Sequence, residues 1–320
     1  MRLKKFAVYA WAVVAYNLAV ILWGAYVRAS GSGAGCGSHW PLCNGEVFPR
    51  ARASEMLIEF THRLMSGAAL VLIIGLVVWA FRAFPKRHAV RTGATLSLIF
   101  ILTEALIGAG LVLFELVADN DSIARAMFMS VHLANTFVLL AVMTLTAWWA
   151  TGGRPLRLRG QGNVLWLLLV ALAGTLILAV SGAVTALGDT LFPSNSLAAG
   201  LSADFSQTAH LLIRLRLLHP VLALTVGTIV VLIAVLTSLR RRDSWTRIWM
   251  LAVVATVVAQ LGAGLLNVAL LAPVWLQLVH LLLADLLWLS LVLLAASALV
   301  QTVASEERLD QLSLSPKLSV

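Results

Sequence analysis

Long apolar runs separated by short polar segments dominate the chain. Eight of them approach the roughly 20 residues that a helix needs to cross a bilayer. They lie at approximately 7–28, 59–81, 93–117, 126–149, 164–187, 209–238, 248–271 and 276–302. The pattern predicts an all-α polytopic membrane protein with eight transmembrane helices. Met1-Arg2-Leu3-Lys4-Lys5 leads into a first run too long for the h-region of a signal peptide, so it reads as a transmembrane helix.

Composition agrees with the pattern. The chain is 61% hydrophobic and 12% charged, far from the ~25% charge of a soluble domain. Its net charge of +9 forms no nucleic-acid patch, so no nucleic-acid partner is expected. The basic residues sit in short loops instead. Arg82, Lys86, Arg87 and Arg91 fill one loop, Arg154, Arg157 and Arg159 a second, and Arg240, Arg241, Arg242 and Arg247 a third. With Arg2, Lys4, Lys5, Arg308 and Lys317 they fall on one side. The opposite loops hold Glu46, Glu55, Asp119, Asp121, Asp189 and Asp204. This asymmetry predicts cytoplasmic N- and C-termini in a cell membrane, with a loop at about 29–58 facing outward.

The chain also repeats itself. Ile107-Gly108-Ala109-Gly110-Leu111 matches Leu261-Gly262-Ala263-Gly264-Leu265, and Val131-His132-Leu133 matches Val279-His280-Leu281. Gly24-Ala25-Tyr26-Val27 matches Gly182-Ala183-Val184-Thr185. The repeats predict two pseudo-symmetric four-helix bundles, an N-terminal half at 1–150 and a C-terminal half at 160–303, followed by a cytoplasmic tail at 304–320. The Gly-Ala-Gly clusters read as close helix packing.

Histidines carry the candidate chemistry. Of seven, His62, His132, His219 and His280 fall toward the outward end of the second, fourth, sixth and eighth spans. Two imidazoles on facing helices can hold a haem iron axially inside a bundle. The halves then predict two sites, His62 with His132 and His219 with His280. Neither half offers a clear set of three or four close zinc ligands. His210, nine residues before His219, is its rival. His88 lies in a basic loop and His39 between the cysteines.

The surroundings of the two sites differ. Glu59 stands three residues before His62, on the same helical face; the aligned position before His219 is Arg216. Arg63 adjoins His62. A carboxylate at one site only suggests one reactive iron and one structural or electron-transfer iron. Arg63, Arg214 and Arg216 are candidate partners for haem propionates. Glu104, inside the third span and aligned with Gln260, is either functional or a hydrogen-bonded helix contact. Cys36 and Cys43, in the outward loop, predict a disulfide; a staple is the simple role and a thiol–disulfide switch the alternative. No Cys-x-x-Cys-His for covalent haem attachment is present.

These residues leave three classes open: an oxidising enzyme, a bis-histidine dihaem cytochrome b for electron transfer, or a non-catalytic haem carrier. The chain resembles the haem A synthase family. The resemblance rests on Val27-Arg28-Ala29-Ser30-Gly31-Ser32-Gly33-Ala34-Gly35-Cys36, on Trp40-Pro41-Leu42-Cys43-Asn44-Gly45, on Glu59-Phe60-Thr61-His62-Arg63, and on one histidine in each of the fourth, sixth and eighth spans. It implies oxidation of a methyl group of haem O to the formyl group of haem A by successive hydroxylations, for cytochrome oxidase assembly. It implies substrate haem O at His62 and His132, a haem b cofactor at His219 and His280, and a catalytic Glu59. The expected partners are the haem O synthase (a farnesyltransferase) and terminal oxidase assembly proteins. One departure is visible. Some members carry a second cysteine pair, and Gly188-Asp189-Thr190-Leu191-Phe192 has none.

Overall fold

A computed structural model describes residues 2–47 and 53–300. The expected tail, with Arg308 and Lys317, lies outside the described residues, as does the stretch 48–52 of the first loop. Ten α-helices follow one another, with no sheet among the described residues: α1 (Arg2–Ala29), α2 (Ser54–Ala83), α3 (Ala89–Leu113), α4 (Ile123–Ala150), α5 (Asn163–Leu191), α6 (Leu197–Asp204), α7 (Leu211–Leu215), α8 (Leu218–Arg240), α9 (Ser244–Ala269) and α10 (Val274–Ala298). Taking α7 and α8 together, eight helical segments are long and apolar enough to span a bilayer. The chain is a multi-pass membrane protein.

Helices suit this sequence because hydrocarbon offers no partner to a free backbone N–H or C=O, and a helix satisfies both internally. The exposed N–H groups at several helix starts are capped by side chains. Ser122 accepts from Arg125 N, Ser196 from Ala199 N and Asp243 from Thr246 N. The boundaries differ from the hydropathy reading in two informative places. α2 starts at Ser54, so Glu59 lies in its second turn instead of at its first residue. The sixth span is broken at Arg216-Leu217. Pro220 has no N–H to give the Arg216 carbonyl, and its ring would crowd that oxygen, so α7 stops and α8 restarts two residues before the proline.

The packing makes two closed rings of four. α1 touches α2 and α4, which both touch α3; α5 touches α8 and α10, which both touch α9. α4 meets α5 and α10 at the seam, and α1 meets α10 there as well. One face of α10 puts Trp288, Leu289 and Val292 into the core of the first ring. Another puts Leu287, Leu291, Leu294, Ala295 and Ala298 into the core of the second. Trp288 Nε1 donates to the Phe137 carbonyl of α4 at 2.7 Å, with the two rings 5.2 Å apart.

Candidate functional site

All four repeat-related histidines line one cavity of about 1520 Å³. A single small-molecule site is smaller, roughly 300–1,000 Å³. The depth of the four rings is alike. His62 lies eight residues in from Ser54, His132 nine from Ile123, His219 eight from Leu211 and His280 six from Val274. At 1.5 Å per residue these are roughly 9–14 Å below the helix starts.

Each ring rests against a glycine of a neighbouring helix. A Cβ on Gly24 would meet His62 Cε1 at 2.8 Å, one on Gly182 would meet His219 Cε1 at 3.0 Å, and one on Gly264 would meet His280 Cε1 at 3.2 Å. Gly108 stands farther off, with its Cβ position 3.6 Å from His132 Cε1. The glycines read as packing residues thus also clear the space that the imidazoles occupy. The two rings of the second set, His219 and His280, stand 6.4 Å apart between centroids and at 83° to each other.

The partners of the rings are unequal. Glu104 Oε1 lies 3.3 Å from His132 Nδ1. The same carboxylate accepts from Asn135 Nδ2 at 2.5 Å and from the Thr136 hydroxyl. Both readings of Glu104 meet here: it joins α3 to α4 and touches a candidate ligand. Its aligned residue, Gln260, has its Nε2 3.3 Å from His280 Nε2. Ser181 Oγ is 2.9 Å from His219 Nδ1.

Glu59 is buried and lines the cavity. Its Oε2 accepts the Cys36 N–H at 2.8 Å, and its Oε1 accepts from Arg63 Nε at 3.1 Å and Nη2 at 2.5 Å. Arg63 Nη1 then donates to the carbonyls of His39 and Leu42, both at 2.6 Å. These bonds hold the loop 30–47 over the cavity. The same loop contains the Cys36–Cys43 disulfide, fully buried. Gly35 lets it lie flat on α2: a Cβ there would come within 2.5 Å of the backbone at Glu55 and Met56.

The arginines proposed for propionates are placed differently. Arg63 and Arg216 line the cavity but are paired with acids. Arg216 contacts Asp189 at 3.1 Å and Asp204 at 3.1 Å. Burial pushes the Asp204 carboxyl above its ordinary pKa, and Arg216 beside it opposes the shift. Arg214 is not part of the cavity wall; it lines a smaller depression with Asp204 and Phe205. His210 is also absent from the wall. It caps α7, accepting from Leu212 N at 3.3 Å, and lies 3.7 Å from Asp121. His88 caps α3 in the same way.

Three charged residues were not singled out from the sequence. Arg28 and Arg125 line the cavity. Asp285 in α10 is wholly buried, and neither of its oxygens has a hydrogen-bond partner. A charge inside an apolar span was the available signal for Arg125 and Asp285. For Arg28 it was the motif Val27-Arg28-Ala29-Ser30.

Comparison with known proteins places the chain in a family. Residues 7–292 match the family model described as cytochrome oxidase assembly protein. A protoheme IX farnesyltransferase of Thermus thermophilus is 55% identical over 296 residues, covering 92% of this chain and 49% of the relative. A heme A synthase of Exiguobacterium sp. is 36% identical over 142 residues, 44% of this chain and 46% of the relative. One of Geobacillus kaustophilus is 32% identical over 164 residues, 50% of this chain and 52% of the relative. The chain spans about half the length of the curated relatives it matches. With the family model covering almost every membrane span, the chain belongs to the cytochrome oxidase assembly protein family.

Proposed function

We propose that the chain is a haem A synthase, oxidising a methyl group of haem O to the formyl group of haem A for cytochrome oxidase assembly. The observation that carries this reading is that four imidazoles line one cavity, with a carboxylate, Glu104, against His132 and neutral Ser181 and Gln260 against His219 and His280. The heme A synthase names of several relatives support it.

The residues fit a haem in the second ring of helices. His219 and His280 would hold the haem between them: their ring centroids stand 6.4 Å apart, and Gly182 and Gly264 keep both rings clear of backbone. We assign haem b to this pair and substrate haem O to His62 and His132. Bound haem b supplies one-electron redox chemistry at its iron. Ser181 orients His219 through a hydrogen bond at Nδ1, and Glu104 stands 3.3 Å from His132 Nδ1. Glu59 is placed as the acid of the reactive half. It holds the loop through Cys36 and faces the cavity beside His62, so closing the site and handling charge at the substrate depend on one carboxylate. The basic loops favour cytoplasmic termini and a cavity mouth on the outer face.

The supplier of haem O is assigned to a protoheme IX farnesyltransferase. Support comes from the Thermus relatives of that name, in which the region similar to this chain makes up about half of the protein. Terminal oxidase assembly proteins are the expected recipients of the product.

Haem extraction from purified protein tests the reading. One tightly held haem b with variable haem O or haem A is expected. Two stoichiometric haem b groups would instead identify an electron-transfer cytochrome, and a haem population that never changes on turnover would identify a carrier.

A further inference from the structure

Four arginines line the loop end of the cavity, and they divide into two kinds. Arg63 is neutralised by Glu59, and Arg216 by Asp189 and Asp204. Arg28 and Arg125 make no ion pair among the described residues. Arg28 gives its Nη1 to the Ala186 carbonyl at 2.7 Å and to Thr190 Oγ1 at 2.5 Å, and its Nη2 to Gln277 Oε1 at 2.9 Å; all three acceptors are neutral. Arg125 gives its Nη1 to the carbonyls of Ala118 and Asn120. Its Nε is buried without any partner, on a side chain that is 4% exposed overall. A guanidinium has five donors and stays charged, so a buried one without an anion is costly.

Their positions follow the histidines. Arg125 precedes His132 by seven residues, two turns of α4, which keeps it within about 20° of the same face. That sets it roughly 10 Å nearer the loop end. Arg28 lies four residues beyond Gly24, the glycine against His62, and so one turn nearer the same end of α1. Arg28 and Arg125 thus stand on the loop side of the first histidine pair with no carboxylate in direct contact, Asp189 and Asp119 acting on them only from farther off.

We propose that Arg28 and Arg125 form a dianion site for the two carboxylate arms of a flat amphiphilic ring held between His62 and His132. This rests on the haem reading above, and it replaces Arg63, Arg214 and Arg216 as the contacts for those arms. Ligand carboxylates would give both guanidinium groups the directly bonded anion that Asp189 and Asp119 do not supply, and would take the free Nε of Arg125, where charge-assisted bonds are strong.

The test uses the full chain, purified with its resident haem, and two probes: haemin and its dimethyl ester, which lacks both charges. Uptake of a further equivalent is followed by absorbance. Wild type should prefer haemin over the ester by about tenfold or more. Arg125→Gln should bring the preference close to one while leaving ester affinity unchanged, and Arg125→Lys should keep most of it. Arg28 also ties α1 to α5 and α10, so Arg28→Gln is scored only with an unaltered resident-haem spectrum, and Arg28→Lys serves as its charge-keeping control. Unchanged preference in both glutamine variants overturns the dianion site alone, as does a wild type that takes up both probes equally. A wild type that takes up neither probe overturns the reading on which the site rests, and the site with it.

Discussion

The Glu59 carboxylate accepts the backbone N–H of Cys36 at 2.8 Å, across twenty-three residues of sequence. This one bond fastens the disulfide loop to the helix that carries His62. Glu59→Gln keeps an acceptor for Cys36 but turns an N–H₂ toward the donors of Arg63. The loss should be about 1.5–3 kcal/mol of local stability, the range for bonds to charged groups. Reduction of the Cys36–Cys43 bond should become faster in the variant. Haem extracts from cells should show haem O, or a partly oxidised hydroxymethyl form, in place of haem A. Wild-type haem A levels would reduce Glu59 to a loop anchor.

The disulfide itself should act as a staple. It closes a short loop that Glu59, Arg63 and Gly35 already hold in place. Replacing Cys36 and Cys43 with serine should cost about 2–3 kcal/mol in the chain-entropy picture. Thermal melts of the purified variant would measure this, and haem A formation should remain detectable at lower temperature. Abolished turnover in a variant that melts like wild type would assign the pair a redox role instead.

His219 and His280 should be the ligands of the resident haem, and His210 should not. His219→Ala or His280→Ala should remove or weaken the haem b spectrum while the protein still inserts and purifies. His210→Ala removes the cap on the short helix α7, a loss of about 1 kcal/mol, together with its contacts to Asp121 and Phe192, and should leave the haem spectrum in place. An intact haem spectrum in both the His219 and His280 variants would refute the assignment.

The glycines beside the rings give a test that leaves every ligand in place. Gly182→Ala puts a methyl group 3.0 Å from His219 Cε1, and Gly24→Ala puts one 2.8 Å from His62 Cε1. Both rings must then shift. Haem affinity in the corresponding half should fall by tenfold or more, a cost of about 1–3 kcal/mol for overpacking. Gly227→Ala is the control, because it lies off the cavity wall and its Cβ would meet Val257 Cγ1 at an ordinary 3.5 Å. Spectral titration of the three variants would separate a ring contact from a general effect of adding bulk to a helix.

Hydropathy located the eight spans, and the repeat located the four histidines, because both are written as spacing along the chain. α3 shows the limit of the method: it occupies Ala89–Leu113 where 93–117 was expected, since a helix can end while the sequence remains apolar. The break before Pro220 was legible from the missing N–H but passed unread inside a run of leucines. The charge pairing was not legible. Arg63 and Glu59 are one helical turn apart and could be paired on paper, whereas Arg216 finds its acids on α5 and α6, in segments whose approach depends on the whole fold. Arg125 draws its meaning from a buried Nε without a hydrogen-bond partner, and sequence alone does not record that. The contact of each imidazole with a glycine likewise joins two helices, and only the packed bundle shows it.

α10 is made after the other seven spans, yet it fills the centre of the protein and brings His280 with it. The first seven spans can therefore enter the membrane only as an unfinished shell, with the seam beside α4 uncovered. The cavity wall lacks Gln277, His280, Leu281, Ala284 and Leu287 until α10 is in place. A ligand that relies on His280 and its neighbours can therefore be held only once the eighth span has packed against the other seven.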